Sequence, residues 1–196
     1  MVDPRGVTRL AGRPTAQPAR ILGLATVVFS GLYVVSDVIE TVQGGFSGMQ
    51  LILTLVGEAA IPLFVVGLYA VQRPQMARLG LFSASAYAYS YVFFSGTVIY
   101  AMMNGTRDYA ALTGELGASM TIHGAIMVIA GIGFGLAVIR AGVLPRWTGV
   151  ALAVGVVAVA ATQTAPAGVQ LVAAALRAVA FAGMGIALTA GGQGHE

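Results

Sequence analysis

Residues 49–72 read MQLILTLVGEAAIPLFVVGLYAVQ, an apolar run interrupted by one charge, Glu58, and one proline, Pro62. A helix needs about 20 such residues to cross the roughly 30 Å hydrocarbon core of a bilayer, and this run supplies them. Strands of a membrane barrel alternate apolar and polar residues over about ten positions, so a run this long and continuous excludes a barrel. The chain around it has the same character. Of its 196 residues 58% are hydrophobic and 9% charged, where a soluble domain carries about a quarter charged residues. A water-soluble fold of this size could not cover itself with so little charge. Composition therefore excludes a cytosolic enzyme and a nucleic-acid reader, and the absence of cysteine excludes a disulfide-built secreted domain.

Five further segments reach spanning length: 21–42, 77–103, 117–140, 144–163 and 167–190. Breakers separate the six: Gly44, Gly45 and Gly48, then Arg73-Pro74, Asn104-Gly105, Gly142 to Pro145, and Pro166 to Gly168. The third segment is the longest and must tilt or place one end in the interface. The expected fold is an all-α integral membrane bundle of six transmembrane helices, one domain over 21–190. It is flanked by a basic disordered tail at 1–20 and a short tail at 191–196. Three prolines and four arginines in the first 20 residues cannot pack a core, and no small-x-small cleavage site follows, so the first segment reads as an uncleaved span.

Every basic residue is arginine. Arg5, Arg9, Arg13, Arg20, Arg73, Arg78, Arg140 and Arg146 fall on one side of a six-span chain; the other side holds Arg107, offset by Asp108 and Glu115. The positive-inside rule then makes both termini cytoplasmic. The net charge of +3 is an orientation signal, not a phosphate-binding face. Lysine-free, Ala-, Gly- and Val-rich usage points to a GC-rich bacterial genome, and with the spans to a bacterial inner membrane. Trp147 reads as an anchor at the cytoplasmic interface.

A charge near the bilayer centre costs about 2.5–3.5 kcal/mol on insertion scales, so residues bearing it are the first candidates for function. They are Asp37, Glu40, Glu58, His123 and Arg177. Glu58 and Arg177 fall at one depth and are natural partners, either as a bundle-locking ion pair or as a protonation-coupled switch. Asp37 and Glu40 approach from the first span, either as a solvated helix end or as part of the site. His123 lies on the fourth, either hydrogen-bonded between helices or facing a ligand. Pro62 cannot donate to the Glu58 carbonyl, which predicts a kink beside the acid. Tyr87, Tyr89 and Tyr91 at spacing two cannot share a helix face, and an inward member such as Tyr91 would line a pocket.

Several chemistries are missing. Haem held by two histidines has only His195 to add to His123, and zinc finds no cysteine, so no cofactor and no metal is expected. Ser95-Gly96 lacks the preceding glycine of an intramembrane serine protease, and Asn104-Gly105-Thr106 reads as a turn. Gly131, Gly133 and Gly135, with Ala182, Gly183 and Gly185, allow close helix packing, within one monomer, between copies, or with a partner membrane subunit. The hairpins around Gly67–Gly80 and Gly135–Gly149 look alike, as an internal repeat of about 68 residues would, although any two cytoplasmic hairpins share glycines and arginines.

One stretch carries a resemblance. His123-Gly124, a Gly-rich apolar span, the turn Arg140-Ala-Gly-Val-Leu-Pro-Arg-Trp-Thr-Gly149 and apolar Val150 to Ala161 resemble a domain-of-unknown-function family of short bacterial multi-pass proteins. The resemblance covers about a fifth of the chain. It implies a six-helix membrane protein and supplies no activity.

Three function classes fit. The first binds or transports a small or lipophilic molecule at an ionisable pocket in the outer half of the bilayer, built from Asp37, Glu40, Glu58, Tyr91, His123 and Arg177. The second is a non-catalytic accessory subunit of a membrane complex. The third is an intramembrane enzyme on an isoprenoid or lipid, with Glu58 or Asp37 as a general acid shielded by aromatics, as in terpene cyclases. Membrane lipid is the expected surrounding partner and nucleic acid is not.

Overall fold

The structure, a computed structural model, describes residues 16–191. The expected basic tail lies outside the described residues as far as position 15, with Arg5, Arg9 and Arg13, as do residues 192–196 with His195. The described residues form seven helices and no strand: α1 (Ala16–Gln43), α2 (Gly48–Val71), α3 (Ala77–Asn104), α4 (Tyr109–Leu116), α5 (Ala118–Ala141), α6 (Arg146–Ala161) and α7 (Ala167–Gly191).

Six of these match the six expected segments to within a few residues. The differences have local causes. Ala16–Arg20, expected in the tail, belong to the first helix, with Pro18 in the first turn where its missing N–H costs nothing. The turn after Asn104 is followed by an unexpected eight-residue helix, α4. The Asp108 carboxylate caps it by accepting from the Ala111 N–H at 2.8 Å. Gly117, at φ +52°, then reverses the chain into α5. At the expected turn, Gly105 ends α3 in the left-handed conformation that an Asn-Gly pair favours.

Four helices, α1, α2, α5 and α7, are long and apolar enough to cross a membrane. α3 has the length, at 28 residues, but mixes serine, threonine and tyrosine into its apolar run. α6 is apolar but has 16 residues, about 24 Å of helix. Large apolar side chains face outward around the molecule, among them Leu63, Phe82, Ile129 and Val172, each at least 70% exposed. An apolar exterior this extensive requires a nonaqueous surrounding.

α1, α2, α3, α5, α6 and α7 form a closed ring in which each packs on its sequence neighbours and α7 packs on α1. Where helices touch through glycine the backbones come very close. A Cβ on Gly23 of α1 would lie 2.5 Å from the Gly185 carbonyl of α7, and the reverse holds for Gly185. Gly131 and Gly135 of α5 both face α6, against Val156 and Gly149, while Gly133 faces Ser83 of α3. These small residues thus serve packing within the monomer. The two similar hairpins differ here: Gly135 and Gly149 meet each other, whereas Gly67 packs on Leu22 and Gly80 on Met76.

The ring's interior is apolar and aromatic. Phe64 of α2 meets Phe181 of α7 edge-on at 5.1 Å, and Tyr87 of α3 reaches the same Phe181 at 6.0 Å. Leu68, Phe134, Leu152 and Met184 fill the rest. A second apolar cluster, Leu51, Val98, Ala101, Leu112 and Met120, fastens α4 over the end of the ring farther from the chain termini, called here the distal end.

Candidate functional site

Three helices bring one residue each to a common level. Tyr33 lies ten residues before the end of α1, Glu58 ten after the start of α2, and Arg177 ten after the start of α7. At 1.5 Å per residue each is about 15 Å from the distal end. The ring makes α1 adjacent to both α2 and α7, so these side chains meet.

Glu58 and Arg177, each 6% exposed, meet through Tyr33. The Tyr33 hydroxyl donates to Glu58 Oε1 at 3.3 Å, and the Arg177 guanidinium carbon stands 5.0 Å from the Tyr33 ring centroid. It is also 5.8 Å from the Tyr91 ring. Glu58 Oε2 has no hydrogen-bond partner among the described residues, so the expected direct pairing of acid and guanidinium is replaced by a tyrosine-bridged arrangement. The physical reason is steric as well as electrostatic. Gly57 has no side chain, and a Cβ there would lie 3.1 Å from Tyr33 Cδ2, so the ring crosses α2 at that position. A desolvated guanidinium over aromatic faces gains about 2 kcal/mol, which holds Arg177 among tyrosines. Gly57→Ala should therefore push Tyr33 off Glu58 and lower the thermal midpoint modestly, by the equivalent of about 1 kcal/mol; an unchanged midpoint in lipid nanodiscs would contradict that placement.

Tyr87 and Tyr91 sit four residues apart on the inward face of α3, fully buried, with ring centroids 5.1 Å apart. Neither hydroxyl has a hydrogen-bond partner among the described residues. Tyr89, between them, points outward. Beside this layer α1, α2 and α7 leave a crevice lined by Phe29, Ser30, Tyr33, Phe64, Arg177 and Phe181. Its volume of about 10 Å³ admits about one water.

Asp37 stands one turn from Tyr33 toward the distal end, with Oδ2 buried and unpartnered. Glu40 is held differently. Gln50 of α2, 1% exposed, extends its amide across to α1 and donates to Glu40 Oε2 at 3.2 Å and to Thr54 Oγ1 at 2.9 Å. The Ser36 hydroxyl contacts that of Thr54 and donates to the Gln50 carbonyl at 3.1 Å. Asp37, Glu58, Tyr91 and Arg177 are thus gathered, and Glu40 is bound into a neighbouring polar seam of Gln50, Thr54 and Ser36 that the candidate residues alone did not include.

His123 is not part of the gathering. α5 is separated from α2 by α3 and from α7 by α6, and the imidazole faces the outer surface of α3. It lies flat on Phe93 at 3.6 Å. Its Nδ1–H donates to the Ser119 carbonyl at 2.8 Å, which leaves Nε2 to accept from the Tyr89 hydroxyl at 3.0 Å. Both ring nitrogens are therefore satisfied, one within α5 and one across to α3.

α2 runs through Pro62 as a single helix. Among the described residues no group of three or more His, Cys, Asp or Glu side chains is placed to hold a metal ion. Comparison with family models, curated proteins and solved structures gives no match to this chain.

Proposed function

We propose that the chain is a six-span protein of a bacterial cytoplasmic membrane, with both termini cytoplasmic, that binds or transports a small lipophilic molecule bearing a polar group. α3 completes the set of spans by length, and α6 by apolarity, with Trp147 and local bilayer adjustment covering its short reach. The orientation rests on Arg73, Arg78, Arg140 and Arg146 at the terminal end, against Arg107 alone at the distal end. Kinship with short bacterial multi-pass proteins, resting on His123 and the Arg140–Arg146 turn, belongs to the same proposal.

The observation that supports binding is the set of buried polar atoms around Arg177 that lack partners: Glu58 Oε2, Asp37 Oδ2 and the hydroxyls of Tyr87 and Tyr91. Each such atom leaves a penalty of about 1–3 kcal/mol. A ligand able to donate and accept hydrogen bonds relieves several of these penalties at once, while the phenyl rings accept its apolar part. The crevice is closed to about one water in this state, so binding requires a second, open state.

Native mass spectrometry of protein extracted gently from its own membrane tests the proposal. The wild type should retain a molecule that Glu58→Gln and Tyr91→Phe lose or hold in lower occupancy. Retention of bulk phospholipid alone, equal in all three proteins, would refute it. A tightly held partner chain would instead identify an accessory subunit, and an isoprenoid converted on incubation an enzyme.

A further inference from the structure

Apart from Ser30, the polar groups that α1 and α2 turn toward each other lie at the Glu58 level or on its distal side. On α1, Tyr33, Ser36, Asp37 and Glu40 share a face, and on α2, Gln50, Thr54 and Glu58 recur at four-residue spacing. The two faces oppose each other from the distal end down to the Glu58 level. Hydrogen bonds already run from Glu40 through Gln50 to Thr54 and Ser36. Three buried oxygens spaced along this path are without donors: Gln50 Oε1, Asp37 Oδ2 and Glu58 Oε2. All three are acceptors, and Gln50 and Glu58 are more than nine-tenths buried. A carboxylate can meet its need by taking a proton, but an amide oxygen cannot, so the path as a whole calls for donors from outside the chain. Water is a donor small enough to meet this need, and the neighbouring hydroxyls of Ser36 and Thr54 offer it further partners.

Beyond Glu58, toward the termini, the construction changes. Leu22, Val65, Leu68, Phe181 and Met184 fill the space, and Gly23 and Gly185 bring α1 and α7 into backbone contact. The buried polar groups found there are closed on their own helices. Thr26 donates to the Leu22 carbonyl at 2.8 Å and Gln72 to the Leu68 carbonyl at 2.9 Å. Ser30, at the edge of the Glu58 level, is the last hydroxyl on α1 without a partner.

We infer that Ser36, Gln50 and Thr54, with Glu40 and Asp37, form a half-channel that connects Glu58 to the aqueous side at the distal end and to no other side. Water enters along this path, and the proton of Glu58 leaves by it to water and returns by it. No other bond is made or broken. The charged and titratable groups nearest Glu58 are Tyr33 and Asp37 from α1 and Arg177 from α7; Tyr91 and Tyr87 from α3 stand beside Arg177, and Glu40, Asp108 and Tyr109 lie at the distal mouth. Ionisable residues inside membranes commonly exchange protons through such paths. The inference rests on the proposed topology and on Glu58 as the exchanging group, but not on the identity of any ligand.

The absence of cysteine permits a decisive arrangement. A single cysteine placed in the distal loop reports orientation in sealed vesicles by its reaction with an impermeant thiol reagent. Infrared difference spectra then follow the Glu58 carboxyl band, assigned by its loss in Glu58→Gln, while pH is changed on one side at a time. The band should follow pH on the distal side and ignore the terminal side. Thr54→Val, which keeps the shape and removes a hydroxyl, should slow the response several-fold, and Gln50→Leu should slow it further. Response to the terminal side, to both sides, or to neither would overturn the half-channel, as would equal rates in wild type and Thr54→Val. Failure here leaves the retained-ligand result untouched, and loss of the ligand result leaves one-sided exchange standing, so the two readings fail separately.

Discussion

Arg177→Leu should destabilise the protein by about 3–5 kcal/mol, the cost of leaving a buried charge uncompensated, and Glu58→Gln in the same chain should return much of that loss. The asymmetry of the site makes the order of effects specific. Removing the guanidinium leaves Glu58 with a single partner, the Tyr33 hydroxyl at 3.3 Å, in an apolar ring. Removing the carboxylate leaves Arg177 over two tyrosine rings that continue to attract it. Glu58→Gln alone should therefore cost less than Arg177→Leu alone. Thermal unfolding in nanodiscs of the two single variants and the double variant closes a cycle whose coupling energy should fall at about 0.5–3 kcal/mol. Strict additivity would show that the two charges do not sense each other through Tyr33.

Gly155→Val should be nearly as damaging, by a different route. A Cβ at position 155 would lie 2.9 Å from both the backbone nitrogen and the Cα of Arg177. These are backbone atoms, so no rotamer change relieves the clash, and α6 must move away from α7. Overpacking at such contacts costs about 1–3 kcal/mol, to which the displacement of Arg177 from the tyrosines adds. The prediction is a lower unfolding midpoint together with loss of any retained ligand. Gly96→Val, at a position where a Cβ meets nothing within 4 Å, is the control and should behave as wild type. Equal effects at both positions would remove the structural basis for the claim.

The helices were legible because each depends on local sequence alone. Apolar runs bounded by Gly, Pro and Asn fix where helices begin and end, and the observed limits follow them. α4 escaped because its eight residues are short of a full amphipathic signal, although Asp108 ahead of them is a capping residue. The ionisable members of the site were legible because a charge in an apolar run is conspicuous. Their partners were not. Tyr33 was indistinguishable from an interfacial tyrosine until α1 was seen between α2 and α7. Gln50 and Thr54 were visible as a four-residue recurrence ending at Glu58, a signal that neutral side chains carry weakly. Of the two places open to His123 the structure shows the hydrogen-bonded one, on Tyr89 and Ser119; depth along a helix says nothing about which way a side chain faces, and the ring sets α5 apart from α1, α2 and α7.

The ring closes between α1 and α7, which stand at opposite ends of the described sequence. During synthesis Glu58 and Tyr33 emerge more than a hundred residues before Arg177. Until α7 arrives, the acid on α2 has no cation beside it and the ring has no final wall. A ribosome that stalls early therefore releases a chain with an open flank and an unbalanced carboxyl group. The last of the described helices to be made is thus the one that both closes the ring on α1 and brings the cation to the acid.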